Sequence, residues 1–192
     1  MTTKQRISME ALKLFSVKGY EATSVRDIAK AVGIKDSSLY NHYKNKQEIF
    51  DTIIEEYAVE SANEFEQFCK EHDCTKISVL KKSAVAMIMA FSEPCVVQTR
   101  NMLSMEMYHN SEAKEVYYRL FYKEPASWCK IIFNQLIQAG ELQQRNDEAL
   151  FYEFYGPLFT ILLEADIQKS SKETTIERAI AQAEVFIVNH RR

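Results

Sequence analysis

The sequence predicts an all-α protein, in which a small N-terminal helical domain of residues 1–47 precedes a larger helical domain of residues 48–192. Glycine and proline are scarce, at 4 and 3 of 192 residues, whereas strands joined by tight turns need more of both. Apolar residues recur at helical spacing along nearly the whole chain. A chain of this length can bury a core without a metal ion or a disulfide.

The first fifty residues predict three helices and the start of a fourth. The first three are expected at residues 4–17, 24–32 and 36–43. Glycines and capping side chains mark the ends: Gly19 and Gly33 as stops, Thr23 or Ser24 as the start of the second helix, and Asn45 with Glu48 as the capping box of the fourth.

The rest of the chain predicts six further helices, which brings the total to about nine or ten. They are expected at residues 76–91, 94–108, 112–122, 125–139, 148–167 and 174–189.

Charge is distributed unevenly along the chain. Residues 1–50 hold nine Lys/Arg and five Asp/Glu, a net charge of +4, whereas the remainder holds 15 basic and 22 acidic residues, a net charge of −7. A basic segment on an acidic body indicates a module that faces an anion, joined to one that does not.

Cysteine use and hydropathy predict the compartment. The four cysteines form no CxxC pair, the N-terminus has no charged stretch followed by an apolar run, and no window approaches 18 apolar residues. We therefore expect a reduced, cytoplasmic protein without a membrane partner.

Residues 23–46, TSVRDIAKAVGIKDSSLYNHYKNK, predict a helix-turn-helix. Ala29 is small enough for two helices to cross closely, Gly33 permits the turn, and Ile34 and Leu39 pack the second helix on the first. The polar residues of that second helix stay outside, where such a helix fits the major groove of DNA.

The pattern G-Y-x-A-T-S-V-R-D-I-A-x-x-x-G-I-x-x-x-S-L-Y-x-H-Y-x-N-K, at residues 19–46, resembles the N-terminal domain of TetR-family transcriptional regulators. The resemblance covers residues 1–57 and is only architectural beyond them. It implies a homodimer that binds palindromic double-stranded DNA, and a C-terminal helical domain for dimerisation and for binding a small apolar or amphipathic effector. It implies no cofactor.

The resemblance also implies roles for single residues. Thr23, Tyr40, His42 and Lys46 are expected to meet phosphates, whereas the candidates for base-edge contacts are Lys35, Ser37, Ser38 and Asn41. The predicted DNA-binding set is Thr23, Lys35, Asp36, Ser37, Ser38, Tyr40, Asn41, His42 and Lys46. Taken singly, Tyr40 could instead plug the domain core and His42 could be a solvated surface residue.

This sequence departs from the family pattern at three positions. Lys35 stands where Ser or Thr is frequent, Ser37 where Gly or Pro is frequent, and Tyr43 where Phe is usual. Lys35 cannot cap the short helix as a hydroxyl would, although Asp36 could. The departures leave the operator sequence open.

Two other interpretations have weaker support. Cys69, His72 and Cys74 have a spacing that suits zinc, but they supply three ligands at a helix end, and we favour free thiols and no metal. Glu106 and His109 lie three residues apart, yet GxSxG, P-loop and HExxH patterns are lacking, so we expect no enzyme.

Methionines and aromatic residues of the larger domain are candidates for an effector cavity. The predicted ligand-binding set is Met87, Phe91, Met102, Met105, Tyr108, Tyr117, Phe121 and Trp128. A packed core would use the same residue types, and the family resemblance favours the cavity.

Two helices, at about residues 126–139 and 148–167, are apolar nearly all round and so need a second surface to cover them. The predicted dimer interface is Ile132, Leu136, Phe154, Leu158, Ile161 and Leu162.

Together these patterns predict a ligand-responsive transcriptional regulator, a repressor that acts as a homodimer. The rival hypothesis is a small-molecule sensor or sequestering protein with little DNA binding. A gel shift against the upstream region of its own gene would separate the two hypotheses.

Overall fold

A computed structural model describes residues 1–192 and consists of α-helices joined by short turns. The helices are α1 (Thr3–Lys18), α2 (Val25–Val32), α3 (Asp36–Leu39), α4 (Lys46–Glu71), α5 (Val79–Phe91), α6 (Pro94–Glu106), α7 (Ser111–Tyr118), α8 (Glu124–Gln138), α9 (Asp147–Gln168) and α10 (Lys172–His190). The all-α prediction is therefore confirmed. No helix combines the length and the apolar character that crossing a membrane requires.

The predicted helix ends near the N-terminus are largely confirmed. Ser24 caps α2 by accepting the Asp27 N–H, and the Asp27 carboxylate accepts the Ser24 N–H in return. Gly19 and Gly33 follow α1 and α2 with φ of 85° and 78°, a backbone conformation that side chains with a Cβ rarely adopt.

The start of α4 differs from the predicted capping box in one bond. Asn45 accepts the Glu48 N–H at 2.8 Å, as expected. The Glu48 carboxylate, however, accepts the N–H of Lys44 at 2.6 Å instead of that of Asn45. Glu48 therefore bonds the backbone of the residue before the cap, and not that of the cap residue itself.

Several other boundaries differ from the prediction, among them the start of α5 at Val79 and the end of α6 at Glu106. The third helix is α-helical only over Asp36–Leu39, and a π-helical segment, Arg119–Lys123, joins α7 to α8. The last helix begins at Lys172 because Ser171 accepts the Thr174 N–H and so acts as the cap. Three hydroxyl residues within five positions left that choice open in the sequence.

The chain forms two compact units, each of which contains two segments that are separate in the sequence. The first contains Met1–Asn63 and Pro94–Phe121, and within it α1 packs against both α2 and α6. The second contains Glu64–Glu93 and Tyr122–Arg192, and within it α10 packs against α5 and α9. The predicted division at residue 47 concerns function and stays a prediction.

Two polar contacts fasten α1 to the segment around α2 and α3. The Arg6 guanidinium donates to the carbonyl oxygen of Val32 at 2.7 Å, near the end of α2. The Tyr43 hydroxyl lies 2.6 Å from the Ser8 hydroxyl and 3.4 Å from the carbonyl oxygen of Lys4. Burial raises the pKa of Tyr43 above its usual value, so the phenol stays neutral and able to donate. Ser8 thus accommodates the hydroxyl that distinguishes Tyr43 from phenylalanine.

We expect Ser8→Ala to lower the free energy of unfolding by about 1–3 kcal/mol, because the buried Tyr43 hydroxyl loses its short hydrogen bond. The double variant Ser8→Ala, Tyr43→Phe should regain most of that loss, since it removes both polar partners together. Urea unfolding followed by circular dichroism measures both values. Ser16→Ala is the control, because the Ser16 hydroxyl bonds only its own exposed helix. A double variant no more stable than Ser8→Ala would contradict the coupling.

Candidate nucleic-acid interface

The helix-turn-helix is built on a small apolar core. Ile28 and Ala29 of α2 and Leu39 of α3 are fully buried, as are Ile7 and Phe15 of α1. This burial fixes the faces of α2 and α3 that point inward. It leaves the opposite face of α3 to solvent.

That outward face carries the polar residues predicted to meet DNA. Lys35, Ser37, Asn41 and His42 are exposed, and Tyr40 is 55% exposed. Tyr40 therefore does not plug the domain core. The core contains instead Leu39, the residue before Tyr40, and Tyr43, three residues after it, which are 0% and 1% exposed.

The remaining members of this face are half-buried. Ser38 and Asp36 lie on the flanks of α3, and Asp36 does not cap the helix. Its carboxylate instead accepts from the Arg26 guanidinium at 3.2 Å. Lys35 occupies the cap position and makes no side-chain cap bond. No side chain therefore caps the start of α3.

Sequence reasoning missed Arg26, whose side chain is 88% exposed beside α3. Its guanidinium neutralises Asp36, the one acid at the start of α3. An exposed arginine on the flank of a helix-turn-helix is a candidate for phosphate or guanine contact. The signal was present in the sequence as a basic residue on α2 directly opposite its buried Ile28 face.

The structure gives Thr23 a different role from the predicted one. Thr23 is fully buried, and its hydroxyl donates to the carbonyl oxygen of Gly19 at 2.8 Å. It cannot reach a phosphate without breaking that bond. Ser24, which is exposed, occupies the helix-start position instead.

Lys46 is likewise engaged within the protein. Its ammonium donates to the carbonyl oxygens of Tyr20 at 2.7 Å and Thr23 at 3.0 Å. It also lies 4.1 Å from the centre of the Tyr20 ring, a cation–π contact. In this conformation the Lys46 charge stabilises the turn before α2.

The cysteine–histidine segment does not assemble as a three-ligand site. Burial raises the pKa of Cys69 to about 11, with the neighbouring Cys74 adding to the effect. The His72 ring stacks on Phe68, and its Nδ1 lies 3.1 Å from the Phe68 carbonyl oxygen. Burial also raises the pKa of Cys129 to about 12, so that thiol is fully protonated near neutral pH.

The predicted ligand-binding residues are divided between the two compact units. In the first unit, Met102 and Phe121 are fully buried and Tyr117 packs its ring on Phe121 at 5.1 Å. Met105 and Tyr108 are 44% and 78% exposed, so the prediction that these two line an enclosed cavity is wrong. Both occupy the last turn of α6 or the residues just after it.

The other three predicted ligand residues lie in the second unit. Phe91 is buried and meets the Phe159 ring edge-on at 6.4 Å. Met87 is half-buried. Trp128 stacks on Phe65 with ring centres 5.2 Å apart.

Five of the six residues of the predicted dimer interface are buried within their own chain, and the interface stays a prediction. These five are 0–5% exposed: Ile132, Leu136, Phe154, Leu158 and Leu162. Ile161 is half-buried. The periodicity of apolar residues could not show which face of α9 packs within its own chain and which face stays exposed.

A different apolar face remains exposed on α9 and α10. Tyr152, Leu163 and Ile167 of α9 are 54%, 37% and 78% exposed, and Val185 and Val188 of α10 are 54% and 80% exposed. The α9 residues are separated by three turns and one turn, so they share one side of the helix.

Two side-chain contacts join α9 to α10. Arg178 bonds Glu164 at 2.6 Å, and His190 Nε2 lies 2.6 Å from the Glu153 carboxylate. The two helices are thus presented together as one surface.

Comparison with known proteins agrees with this helix-turn-helix. Residues 7–53 match the family described as bacterial regulatory proteins, tetR family. Over 52 residues the chain is 50% identical to IcaR of Staphylococcus epidermidis, the negative transcriptional regulator of the biofilm operon icaADBC. That match spans 27% of this chain and 28% of IcaR, so it covers the N-terminal part only.

Solved structures resemble the chain over nearly its whole length. A TetR transcriptional regulator from Chloroflexus aurantiacus has a TM-score of 0.77 at 19% identity, with 98% of this chain and 96% of that chain covered. SmeT in complex with triclosan has a TM-score of 0.77 at 15% identity, with 100% and 93% covered. The chain thus resembles TetR-family transcriptional regulators in sequence over its N-terminal segment and shares their fold over nearly its whole length.

Proposed function

We propose that this protein is a ligand-responsive repressor that binds a palindromic operator as a homodimer. The observation that carries the proposal is the exposed polar surface at and around α3: Lys35 and Ser37 lie at the start of the helix, which has no side-chain cap, and Tyr40, Asn41 and His42 follow its end. The negative regulator IcaR, half identical over this segment, supports repression over activation. Chromosomal DNA as the partner implies action in the cytoplasm.

In the proposed complex, the start of α3 enters the major groove. Lys35, through its ammonium group, and Asn41, through its amide, read base edges in this complex, whereas Tyr40 and His42 donate to phosphates. Arg26 joins this set as a phosphate or guanine contact once DNA draws it away from Asp36. Thr23 and Lys46 support the turn before α2 and are not assigned to the contact set.

The first experiment is a gel shift with the purified full-length protein and the upstream region of its own gene. A retarded band that a specific competitor removes, at physiological salt, supports the proposal. A protein that binds hydrophobic compounds but retards no DNA would overturn it in favour of a sequestering sensor.

Arg26→Ala and Asn41→Ala should weaken DNA binding in different ways. Loss of Arg26 removes a charge that meets the backbone, so affinity should fall across sequences and the salt slope should drop by about one unit. Loss of Asn41 should change which bases are preferred at one position, at a cost of about 1–3 kcal/mol against the best site. Fluorescence anisotropy at several salt concentrations measures both.

Lys13→Ala is the matched control for Arg26, because it removes an exposed lysine from α1, outside the helix-turn-helix. The proposed contact set is contradicted if Arg26→Ala and Lys13→Ala give the same salt slope.

We further propose that the dimer forms through the apolar face of α9 and α10. Leu163, Ile167 and Val188 offer large apolar side chains that the chain itself leaves in water. Two copies of such a face bury one another when related by a twofold axis. Operator half-sites about 34–36 Å apart would then meet two copies of α3.

Leu163→Glu combined with Val188→Glu should convert the dimer to a monomer, because two charges would be buried without partners in the proposed interface. Light scattering after size-exclusion chromatography measures the mass, and circular dichroism checks that the helices persist. Val17→Glu is the control, since Val17 is 78% exposed on α1. A helical double variant that stays dimeric places the interface elsewhere.

The effector is proposed to be small and apolar or amphipathic. The support is the set of buried aromatic and methionine side chains in both compact units, and the triclosan bound by SmeT, a protein of the same fold. We assign no single pocket to it.

An apolar effector should raise the melting temperature and perturb the fluorescence of Trp128, the one tryptophan, which stacks on Phe65. At a hundredfold excess over the dissociation constant the gain is about 2.7 kcal/mol. Triclosan is the first probe of a hydrophobic library in a thermal scan. Met102→Trp should abolish the thermal shift while DNA binding persists, and only the thermal shift is read in this variant because it holds a second tryptophan. If no compound raises the melting temperature and Met102→Trp only destabilises the fold, the buried residues are a packed core.

A further inference from the structure

We propose that Glu106, at the end of α6, is a positioning residue for DNA recognition, which holds the turn before the helix-turn-helix through the backbone N–H of Tyr20. The inference rests on the proposed DNA binding and adds to it a residue that lies outside the predicted DNA-binding domain. All the residues involved belong to the first compact unit.

The peptide groups around Tyr20 are held from two helices. The Glu106 carboxylate accepts the Tyr20 N–H at 2.8 Å, from the α6 side. The Lys46 ammonium donates to the Tyr20 carbonyl oxygen at 2.7 Å, from the start of α4. A charged group therefore binds each of the two polar groups of this residue, and hydrogen bonds to charged groups are stronger than those between neutral groups.

The side chain of Tyr20 is fixed as well. Its ring lies 5.3 Å from the rings of both Phe15 and Phe50, and its hydroxyl donates to Gln47 at 2.9 Å. Burial is the main cause that raises the pKa of Tyr20 above its usual value. Tyr20 is thus tied to α1 and α4 by its side chain, and Glu106 supplies its bond to α6.

Glu106 is unusual because it is a carboxylate that is only 8% exposed. Burying a carboxylate is costly unless it is hydrogen-bonded, so a carboxylate retained here indicates a specific contact. Gly19 makes the approach possible: its φ is +85°, and a Cβ at that position would lie 3.3 Å from Glu106 Oε1. The acid thus contacts both Gly19 and Tyr20, and Tyr20 lies 86 positions before it in the sequence.

The turn that Glu106 holds leads directly to the cap of α2. Thr23 closes the turn by donating to Gly19, and Ser24 then starts α2. A shift of this turn would move α2 and, through their shared core, α3. Loss of the Glu106 bond should therefore reduce DNA affinity although Glu106 touches no DNA.

The test compares Glu106→Ala, Glu106→Gln and the control Glu115→Ala, an exposed acid on α7. Amide hydrogen exchange by NMR reports the Tyr20 N–H, and fluorescence anisotropy reports operator affinity. Glu106→Ala should exchange the Tyr20 amide at least about tenfold faster and bind DNA several-fold more weakly. Glu106→Gln keeps an acceptor oxygen in the same place and should restore most of both properties.

Three outcomes decide the question. Fast exchange and weak binding in Glu106→Ala, with rescue by glutamine, support the inference. Unchanged DNA affinity in a folded Glu106→Ala variant, or equal loss in the alanine and glutamine variants, overturns it. If the wild-type protein itself binds no DNA, both the proposed function and this inference fail. That outcome is distinct from failure of the inference alone, in which the wild-type protein binds DNA and the variants do not behave as expected.

Discussion

The DNA-binding end of this protein depends on how the short turn between α1 and α2 is held. Residues 19–23 contain no helix of their own, yet they set where α2 begins. The Lys46 ammonium donates to two carbonyl oxygens there, those of Tyr20 and Thr23. The ammonium thus bonds backbone groups of the turn, as a capping side chain bonds those of a helix end. The position of this turn then sets the orientation of α2 and of the polar face of α3.

Much of the N-terminal structure could be predicted from sequence because its signals are local. A serine followed three residues later by an aspartate caps α2, and a glycine with positive φ ends it. Leu39 and Tyr40 took their predicted sides because the motif fixes the register of α3. Interactions that join distant residues, such as Tyr20 with Glu106, leave no periodic trace in the sequence.

The larger domain was harder to predict for a related reason. Helix α9 is apolar on several sides, and composition cannot tell which side its own chain covers. The structure assigns Leu158 and Leu162 to the interior and Leu163 to the outside, one residue apart on a helix that turns by 100° per residue. Such a distinction needs the packing of α10, whose own outer face sequence reasoning did not consider.

The first compact unit runs through α6 as well as the helix-turn-helix, and this affects how readily the DNA-reading part could be exchanged between related regulators. A graft cut after residue 47 would transplant Gly19 and Tyr20 but leave Glu106 behind, together with the rest of α6. The receiving protein would have to offer an acceptor of its own at that position, or the transplanted turn would carry an unbonded amide. A graft that is meant to transfer the DNA sequence specificity of this chain should therefore include residues 94–121 together with the N-terminal segment.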